Sequence, residues 1–330
     1  MGRKPITKGR RWAPFFVALM GANISQAEDF SIGLPLDCAP SDGCYIRQYV
    51  DRDPTAGSAQ DHKCGTLAND GHAGTDFAVP TRAEMDKGVD VIAVAPGRVI
   101  ATRDGMADIK TTSENRDDVA GRQCGNGVLI AHADGWESQY CHLKRGTVTV
   151  REGQAVIQGT PLGQLGLSGE ASFPHVHLTL RQEDHVIDPF LTDPDAACNA
   201  DGPGLWQVRP EYEVAALLKL GFADHVPDFD AIEAGLPSPA SVPAATPALV
   251  VWNYSFAVLA GDLIETEIVG PEGRIGFHTA KVEQAKAFYM NAFGKRAPQG
   301  GWPPGPYEST VRLIRGGELL SERVVTTTLE

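Results

Sequence analysis

From Gly71 to Pro189 the sequence is a series of short β-prone runs cut by glycines, which restricts this stretch to a sheet-based fold. Val89–Ala95, Arg98–Ala101, Val128–His132, Glu137–His142, Thr147–Val150, Pro161–Leu165 and His175–Arg181 all have strand character. The 36 glycines and 23 prolines of the 330-residue chain suit a turn-rich β protein better than a helical one. With 42% hydrophobic and 22% charged residues the chain can bury a core, so wholesale disorder is excluded. The net charge of −13 argues against a nucleic-acid binder, which would show a basic face.

The length predicts two domains, with three as the alternative. Residues 28–70 are rich in Asp, Gly, Pro and Cys and read as irregular structure pinned by disulfides. The polar stretch 103–122 reads as a loop or insertion at the rim of the sheet. After Cys198 the character changes. Glu211–Gly221 and Asp228–Gly235 are predicted as short helices, and residues 236–248, LPSPASVPAATPA, as a semi-rigid linker. Residues 249–330 then read as strand-like blocks separated by turns, a small antiparallel, Ig-like β-sandwich. Within it STVRLI, RGGE and LLSERVV form a predicted hairpin. No catalytic cluster is visible there, so a binding or spacing role is expected.

The N-terminus reads as a signal peptide spanning 1–27. Arg3, Lys4, Lys8, Arg10 and Arg11 form a positive n-region, and Trp12 to Ala22 is apolar but about half the length that spans a bilayer. Ser25-Gln26-Ala27 places the cut before Glu28. Cleavage removes five of the 29 basic residues and none of the 42 acidic ones, so the net charge moves from −13 to −18. No stable membrane anchor is expected after cleavage, and the alternative is an uncleaved anchor. All six cysteines lie beyond the cut, and an even count in an exported chain suggests disulfides. The predicted pairs are Cys38–Cys44 (a short local loop), Cys124–Cys141 (across a predicted hairpin) and, by elimination, Cys64–Cys198. The alternative leaves one or more thiols free. A Cys124–Cys141 bridge requires slack or a bulge in Gly125-Asn126-Gly127, because hairpin counting sets Cys141 opposite a residue near Gly127. The absence of CxxC spacing gives little support to a cysteine zinc site.

The nine histidines carry the chemistry. GHAGTD holds His72 and Asp76 at i, i+4, and FPHVHLTLR holds His175 and His177 at i, i+2 on a predicted strand. A period of two puts both imidazoles on one face. QYCHL holds His142 at a strand end. Two imidazoles and a carboxylate suit zinc and leave a fourth tetrahedral position for water. A further histidine beside that water can serve as general base or transition-state donor. Taken singly, each piece has a bland alternative: a loop histidine with a capping aspartate, two surface histidines, or an ordinary strand residue. His132 reads as a packing or hydrogen-bonding residue. His62, His185, His225 and His278 have no identifiable partners. Trp136 and Tyr140 are candidates for lining a groove, although aromatic residues on strands usually belong to the core.

GHAGTDFAVP, APGRVIA, GNGVLIAHADGWESQYCHL, VREGQAVIQGTPLGQLGLSG, PHVHLTLR and VIDPF, in this order across about residues 64–190, resemble successive motifs of the lysostaphin/LytM-type zinc metalloendopeptidases. The resemblance implies a mostly β chain. Its parts would be a β-sheet groove metallopeptidase domain over 28–200, a short helical and linker segment over 201–248, and the Ig-like sandwich over 249–330. It also implies one Zn²⁺ held by His72, Asp76 and His177. His142 and His175 would then act on the zinc-bound water and the oxyanion, in an order the sequence leaves open. The substrates of that family are peptide cross-links of cell-wall peptidoglycan. The expectation is therefore an exported enzyme of the periplasm, extracellular space or cell envelope. The alternative is a non-catalytic peptidoglycan-binding or amidase-activating protein on the same scaffold. A further alternative is a protease acting on protein.

Overall fold

The computed structural model describes residues 1–2, 30–38, 43–202 and 204–330. The expected signal peptide therefore lies, apart from its first two residues, outside the described residues. Among the described residues no helix is long and apolar enough to cross a membrane.

The N-terminal part holds β1 (Tyr45–Gln48), β2 (Thr75–Ala78), α1 (Arg82–Lys87), β3 (Asp90–Ile92), β4 (Gly97–Arg103), β5 (Asn126–Ala131), β6 (Trp136–Leu143), β7 (Ala155–Val156), β8 (Pro161–Gln164), β9 (His175–Gln182) and β10 (His185–Ile187). One antiparallel sheet runs β1-β2-β9-β6-β5-β4-β7, with β10 added to β9, and β3 pairs β8 separately. Six of the seven predicted strand runs are found here within a few residues. The exception is Thr147–Val150, which is not a strand. Its contacts are isolated: Thr149 N–H donates to the Leu162 carbonyl at 3.0 Å, and Thr147 Oγ1 accepts from Gln164 N at 3.0 Å. Isolated bonds of this kind do not make a ladder.

The C-terminal part holds β11 (Ala216–Ala223), α2 (Phe229–Ala234), β12 (Ser241–Val242), β13 (Ala248–Val258), β14 (Leu263–Gly270), β15 (Gly273–Lys281), β16 (Lys286–Arg296), β17 (Gly305–Arg315) and β18 (Glu318–Leu329). Two sheets, β11-β13-β16 and β12-β18-β17-β14-β15, pack face to face. Apolar residues alternate along β14 (Ile264, Ile268) and β17 (Tyr307, Val311, Leu313) to fill the space between them. With β11, β13, β14, β15, β16, β17 and β18 lettered a to g in chain order, one sheet reads a-b-e and the other d-c-f-g. This is an immunoglobulin-like arrangement with the fourth strand beside the third. The β17–β18 hairpin turns on Gly316-Gly317, both with φ > 0, as a two-residue hairpin turn requires.

The predicted helix at 228–235 is present as α2, but the one at 211–221 is not. ALLKLGFA instead forms β11, antiparallel to β13, and buries Leu217 and Phe222 in the sandwich core. Tertiary pairing outweighs the helix propensity of the Ala/Leu/Lys run. The Pro/Ala-rich run also lies on the sandwich: Val242 is buried, β12 pairs with the end of β18, and Trp302 Nε1 donates to the Thr246 carbonyl at 3.1 Å. Strand β13 is buried along nearly its whole length. Leu249 and Val251 face the sandwich core, while Phe256 faces Tyr45 of β1 at 4.8 Å between ring centroids. A strand covered on both faces reads as a near-continuous apolar run, and ALVVWNYSFAV does so apart from the buried Asn253 and Ser255. Residues Ser31–Glu330 accordingly hold together as one compact unit.

Three disulfides are present, Cys38–Cys44, Cys64–Cys198 and Cys124–Cys141, and none of the six cysteines is free. The bridges span sequence separations of 6, 134 and 17 residues. Loop-closure entropy ranks their worth at about 5 kcal/mol for Cys64–Cys198, 3 for Cys124–Cys141 and 2 for Cys38–Cys44. Urea midpoints of the three paired Cys→Ser variants should fall in that order. A Cys38/Cys44 variant less stable than the Cys64/Cys198 variant would refute the ranking.

Candidate active site

Strands β2 and β9 set opposite each other the residues that the sequence singled out. In their antiparallel register Asp76 faces His177 and Ala78 faces His175. Directly opposed residues share a face, so one carboxylate and two imidazoles project together. His72 joins them from the turn before β2. The chain can come this close only because residue 74 is glycine: a Cβ there would lie 2.5 Å from His177 Nε2 and 2.6 Å from the Leu178 carbonyl oxygen.

Asp76 Oδ1 lies 2.8 Å from His177 Nδ1, 3.2 Å from His72 Nε2 and 3.6 Å from His175 Nε2. One ligand atom from each of His72, Asp76 and His177 falls within 4.8 Å of the others, as a metal-binding group requires. The surroundings fix which nitrogens are available. His72 Nδ1 lies 2.7 Å from the Tyr49 carbonyl oxygen, which can only accept, so Nδ1 carries a proton and in the neutral ring Nε2 faces Asp76 with its lone pair. His177 Nε2 lies 3.0 Å from Thr179 Oγ1, which can accept its proton and leave Nδ1 toward Asp76. Burial would raise the Asp76 carboxyl, but the His72 and His175 charges and hydrogen bonds from His177 and His72 hold it well below the usual range. Burial works to lower His72, and the Asp76 charge and its hydrogen bonds more than offset it, so His72 is raised. A buried anion ringed by imidazole nitrogens needs cationic charge among them. Two nitrogens and one oxygen are a donor set that suits Zn²⁺.

His142 and His175 lie beside this group, their ring centroids 4.6 Å apart. Each Nδ1 is tied to a carbonyl, that of Ser168 for His142 and that of Phe173 for His175, both at 2.8 Å. Each therefore keeps Nε2 unprotonated while neutral. Burial, then the nearby His175 and His177, push His142 well below the ordinary imidazole range; burial also lowers His175, against the pull of Asp76. His142 sits at φ 65°, a conformation uncommon for a side chain of this size. The register slips here: Val128 faces Tyr140 and Asn126 faces Leu143, so Cys141 and His142 together oppose Gly127. A Cβ at Gly127 would meet the Tyr140 carbonyl oxygen at 2.5 Å and Cys124 Sγ at 3.0 Å. The bulge that the Cys124–Cys141 bridge required is thus present, and it swings His142 into the groove.

The groove encloses about 590 Å³ and is lined, beyond these five residues, by Gln48, Thr111, Arg116, Gln139, Glu170 and Arg181. The polar insertion forms one of its walls. Thr111 donates from its backbone N–H to the Ala171 carbonyl at 2.7 Å and from Oγ1 to that of Gly169 at 2.8 Å, and Arg116 pairs with Glu170 at 3.1 Å. Arg181 Nη1 donates to Gln139 Oε1 at 2.9 Å. Thr179 and Arg181 were not singled out from the sequence, although they continue the i, i+2 face of His175 and His177. Neither was Arg116, which a long loop brings in. Trp136 and Tyr140 are buried and do not line the groove: the Tyr140 hydroxyl accepts from Val94 N at 2.8 Å. His132 lies 2.7 Å from the Pro96 carbonyl oxygen and 2.8 Å from Ser138 Oγ, in keeping with a hydrogen-bonding role.

His62, without a partner in the sequence reading, is buried in an aromatic cluster behind Tyr49, the residue whose carbonyl holds His72. Its ring stacks on Phe190 at 4.6 Å and meets Tyr49 edge-on at 4.9 Å. Burial pulls His62 down to about 4. A histidine depressed on folding stabilises fully above its unfolded pKa of about 6.5, and that contribution is lost as pH falls toward 4. The loss amounts to about 3 kcal/mol. Buried Asp188, pushed up to about 6, has the opposite sign: its contribution is full below the unfolded value and is lost as pH rises through 6. His62→Phe keeps the stack and removes the imidazole. Its urea stability should therefore decline less than wild type between pH 7 and 4; parallel declines would refute the assignment.

The model of Peptidase family M23 matches residues 70–189, the stretch that carries all five histidine and aspartate positions. This chain has an M23 peptidase domain. Over 129 residues the chain is 31% identical to the cell division protein DipM of Caulobacter vibrioides, covering 36% of this chain and 19% of that protein. Over 109 residues it is 30% identical to the peptidoglycan DD-endopeptidase ShyA of Vibrio cholerae, covering 33% and 20%. The chain thus matches about a fifth of the length of these curated relatives. Among solved structures, a zinc containing peptidase from Vibrio cholerae shares 25% identity over 48% of this chain and 41% of that one, with a TM-score of 0.29. The catalytic domain of lysostaphin from Staphylococcus simulans shares 19% identity over 43% of this chain and 86% of that one, with a TM-score of 0.29. The M23 match leaves β1, the aromatic cluster around His62 and the whole sandwich outside it.

Proposed function

We propose that this protein is an exported zinc endopeptidase that hydrolyses peptide cross-links of cell-wall peptidoglycan. The observation that carries the reading is the convergence of His72 Nε2, Asp76 Oδ1 and His177 Nδ1 at the floor of an open groove, with two further imidazoles alongside. These three atoms would hold the ion, which when bound supplies a Lewis acid and lowers the pKa of water from 15.7 to about 7. The chain's own residues do the rest. The groove walls hold an extended peptide with its scissile carbonyl near the two imidazoles. His142 and His175, each with Nδ1 held by a backbone carbonyl, divide two tasks. One takes the proton of the attacking water and passes it to the leaving nitrogen as the C–N bond breaks. The other, in its protonated form, donates to the carbonyl oxygen as it gains charge.

Peptidoglycan as substrate is supported by the likeness to the DD-endopeptidase ShyA, and export by three disulfides, which persist in oxidising compartments. Purified protein should clear a peptidoglycan gel, lose that activity to a chelator and regain it with added Zn²⁺. Mass spectrometry of the released muropeptides would identify the bond cut. Intact peptidoglycan after incubation with zinc-loaded protein would refute the enzymatic reading and favour a non-catalytic, amidase-activating one.

A further inference from the structure

The sandwich does not merely follow the peptidase domain; it reaches the catalytic groove through a line of aromatic rings. Phe173 is held to His175 twice. Its carbonyl accepts the His175 Nδ1 proton at 2.8 Å, and its ring stacks on the imidazole at 4.3 Å and 23°. The Phe173 ring is also met edge-on by Phe288 of β16, at 5.6 Å and 65°. The Arg47 guanidinium lies over both rings, 5.8 Å from Phe173 and 5.2 Å from Phe288. Phe288 in turn stacks on Tyr254 of β13 at 5.5 Å and 15°, and Tyr254 packs on Phe229 of α2 at 5.8 Å.

Arg47 makes sense only in this setting. It is 8% exposed, and its buried Nε has no hydrogen-bond partner. A guanidinium so placed is stabilised by aromatic faces and by a nearby carboxylate, here Asp76. Arg47 lies on β1, Phe288 on β16 and Phe173 on the loop before β9, so three separate elements converge behind one imidazole. Phe288 pairs in register with Phe256, whose ring contacts Tyr45 of β1, so the same face of the sandwich is docked at two points.

We infer that Phe288, with Arg47, is a positioning residue for His175: the sandwich supports Phe173, which lines the groove, and through it fixes the orientation of that imidazole. This rests on the reading of His175 as a proton-handling group. The second readout below does not depend on that reading. Besides Phe173, His175 meets the Asp76 carboxylate at 3.6 Å and the His142 ring at 4.6 Å on the groove side, and misplacing a reacting group by about 1 Å can cost 10²-fold in rate.

The test uses the full chain with Phe288→Ala, Phe288→Tyr and, as a control in the sandwich core, Trp302→Phe, whose ring packs on Tyr307. Zinc-loaded Phe288→Ala should cleave a defined muropeptide dimer with kcat lowered about tenfold to a hundredfold, KM unchanged and zinc retained. Phe288→Tyr, which keeps the ring, should restore kcat. In metal-free protein the His175 Cε1 proton should resonate upfield, shielded by the stacked Phe173 ring. That shift should collapse in Phe288→Ala and return in Phe288→Tyr. Trp302→Phe should lower Tm while leaving kcat and the His175 resonance unchanged. Wild-type kcat and resonance in Phe288→Ala, or equal changes in Trp302→Phe, would overturn the inference. If wild type itself cleaves nothing, the catalytic reading fails while the resonance still decides whether the sandwich positions His175.

Discussion

Replacing His72, Asp76 or His177 with alanine is expected to strip the bound metal and abolish hydrolysis. A catalytic zinc site keeps three protein ligands and one open position, so losing any one ligand leaves too few to hold the ion in a defined geometry. The three positions are coupled here through a single oxygen, Asp76 Oδ1, which lies 2.8 and 3.2 Å from the other two ligand nitrogens. The rate loss should exceed the roughly 10²–10³-fold typical of removing one hydrogen-bond donor from an oxyanion hole, because the whole activating charge disappears. Metal content after dialysis and turnover of a muropeptide dimer measure the two effects together. A variant that keeps stoichiometric zinc and full turnover would remove its residue from the ligand set. Far-ultraviolet circular dichroism should stay unchanged, since His72 stands in a turn and the β2–β9 ladder does not depend on its side chain.

This site was legible because its parts obey local rules. His175 and His177 share a face through the two-residue strand period, which the β9 register preserves. Asp76 follows His72 closely enough for one turn to bring both to the same point. The disulfides were legible for similar reasons: a short loop, a hairpin and a remainder. What stayed hidden depends on contacts distant in sequence. Nothing in ALLKLGFA announces that β13 will pair with it, and its Ala, Leu and Lys suit a helix equally well. Arg116 reaches the groove because Thr111 is anchored to Gly169 and Ala171, residues almost sixty positions away. Arg47 and Phe288 lie 241 positions apart by their numbers, and no local pattern connects them. The positive φ of His142 was not visible either, although the glycines opposite it were the clue that a bulge could form.

Replacing His142 or His175 should separate metal binding from turnover. Neither is among the atoms proposed to hold the ion, so His142→Asn and His175→Ala should retain zinc while kcat falls by about 10²–10⁴-fold, the range for a lost general acid or base. Asparagine is the better choice at 142 because, like histidine, it is enriched in the left-handed backbone region found there, whereas alanine is not. The two variants should also differ from each other. The partner that takes the proton must be unprotonated to work, so its loss removes the acidic limb of the kcat/KM–pH profile; loss of the oxyanion donor lowers the profile without erasing that limb. His142 is the stronger candidate for base, because burial and two flanking imidazoles hold it well below the ordinary imidazole range, while burial lowers His175 against the opposing pull of Asp76. The expected result is therefore loss of the acidic limb in His142→Asn and its survival in His175→Ala. The reverse pattern would exchange the two roles. Loss of zinc from His175→Ala would instead make His175 a ligand, at the expense of the assignment to His177.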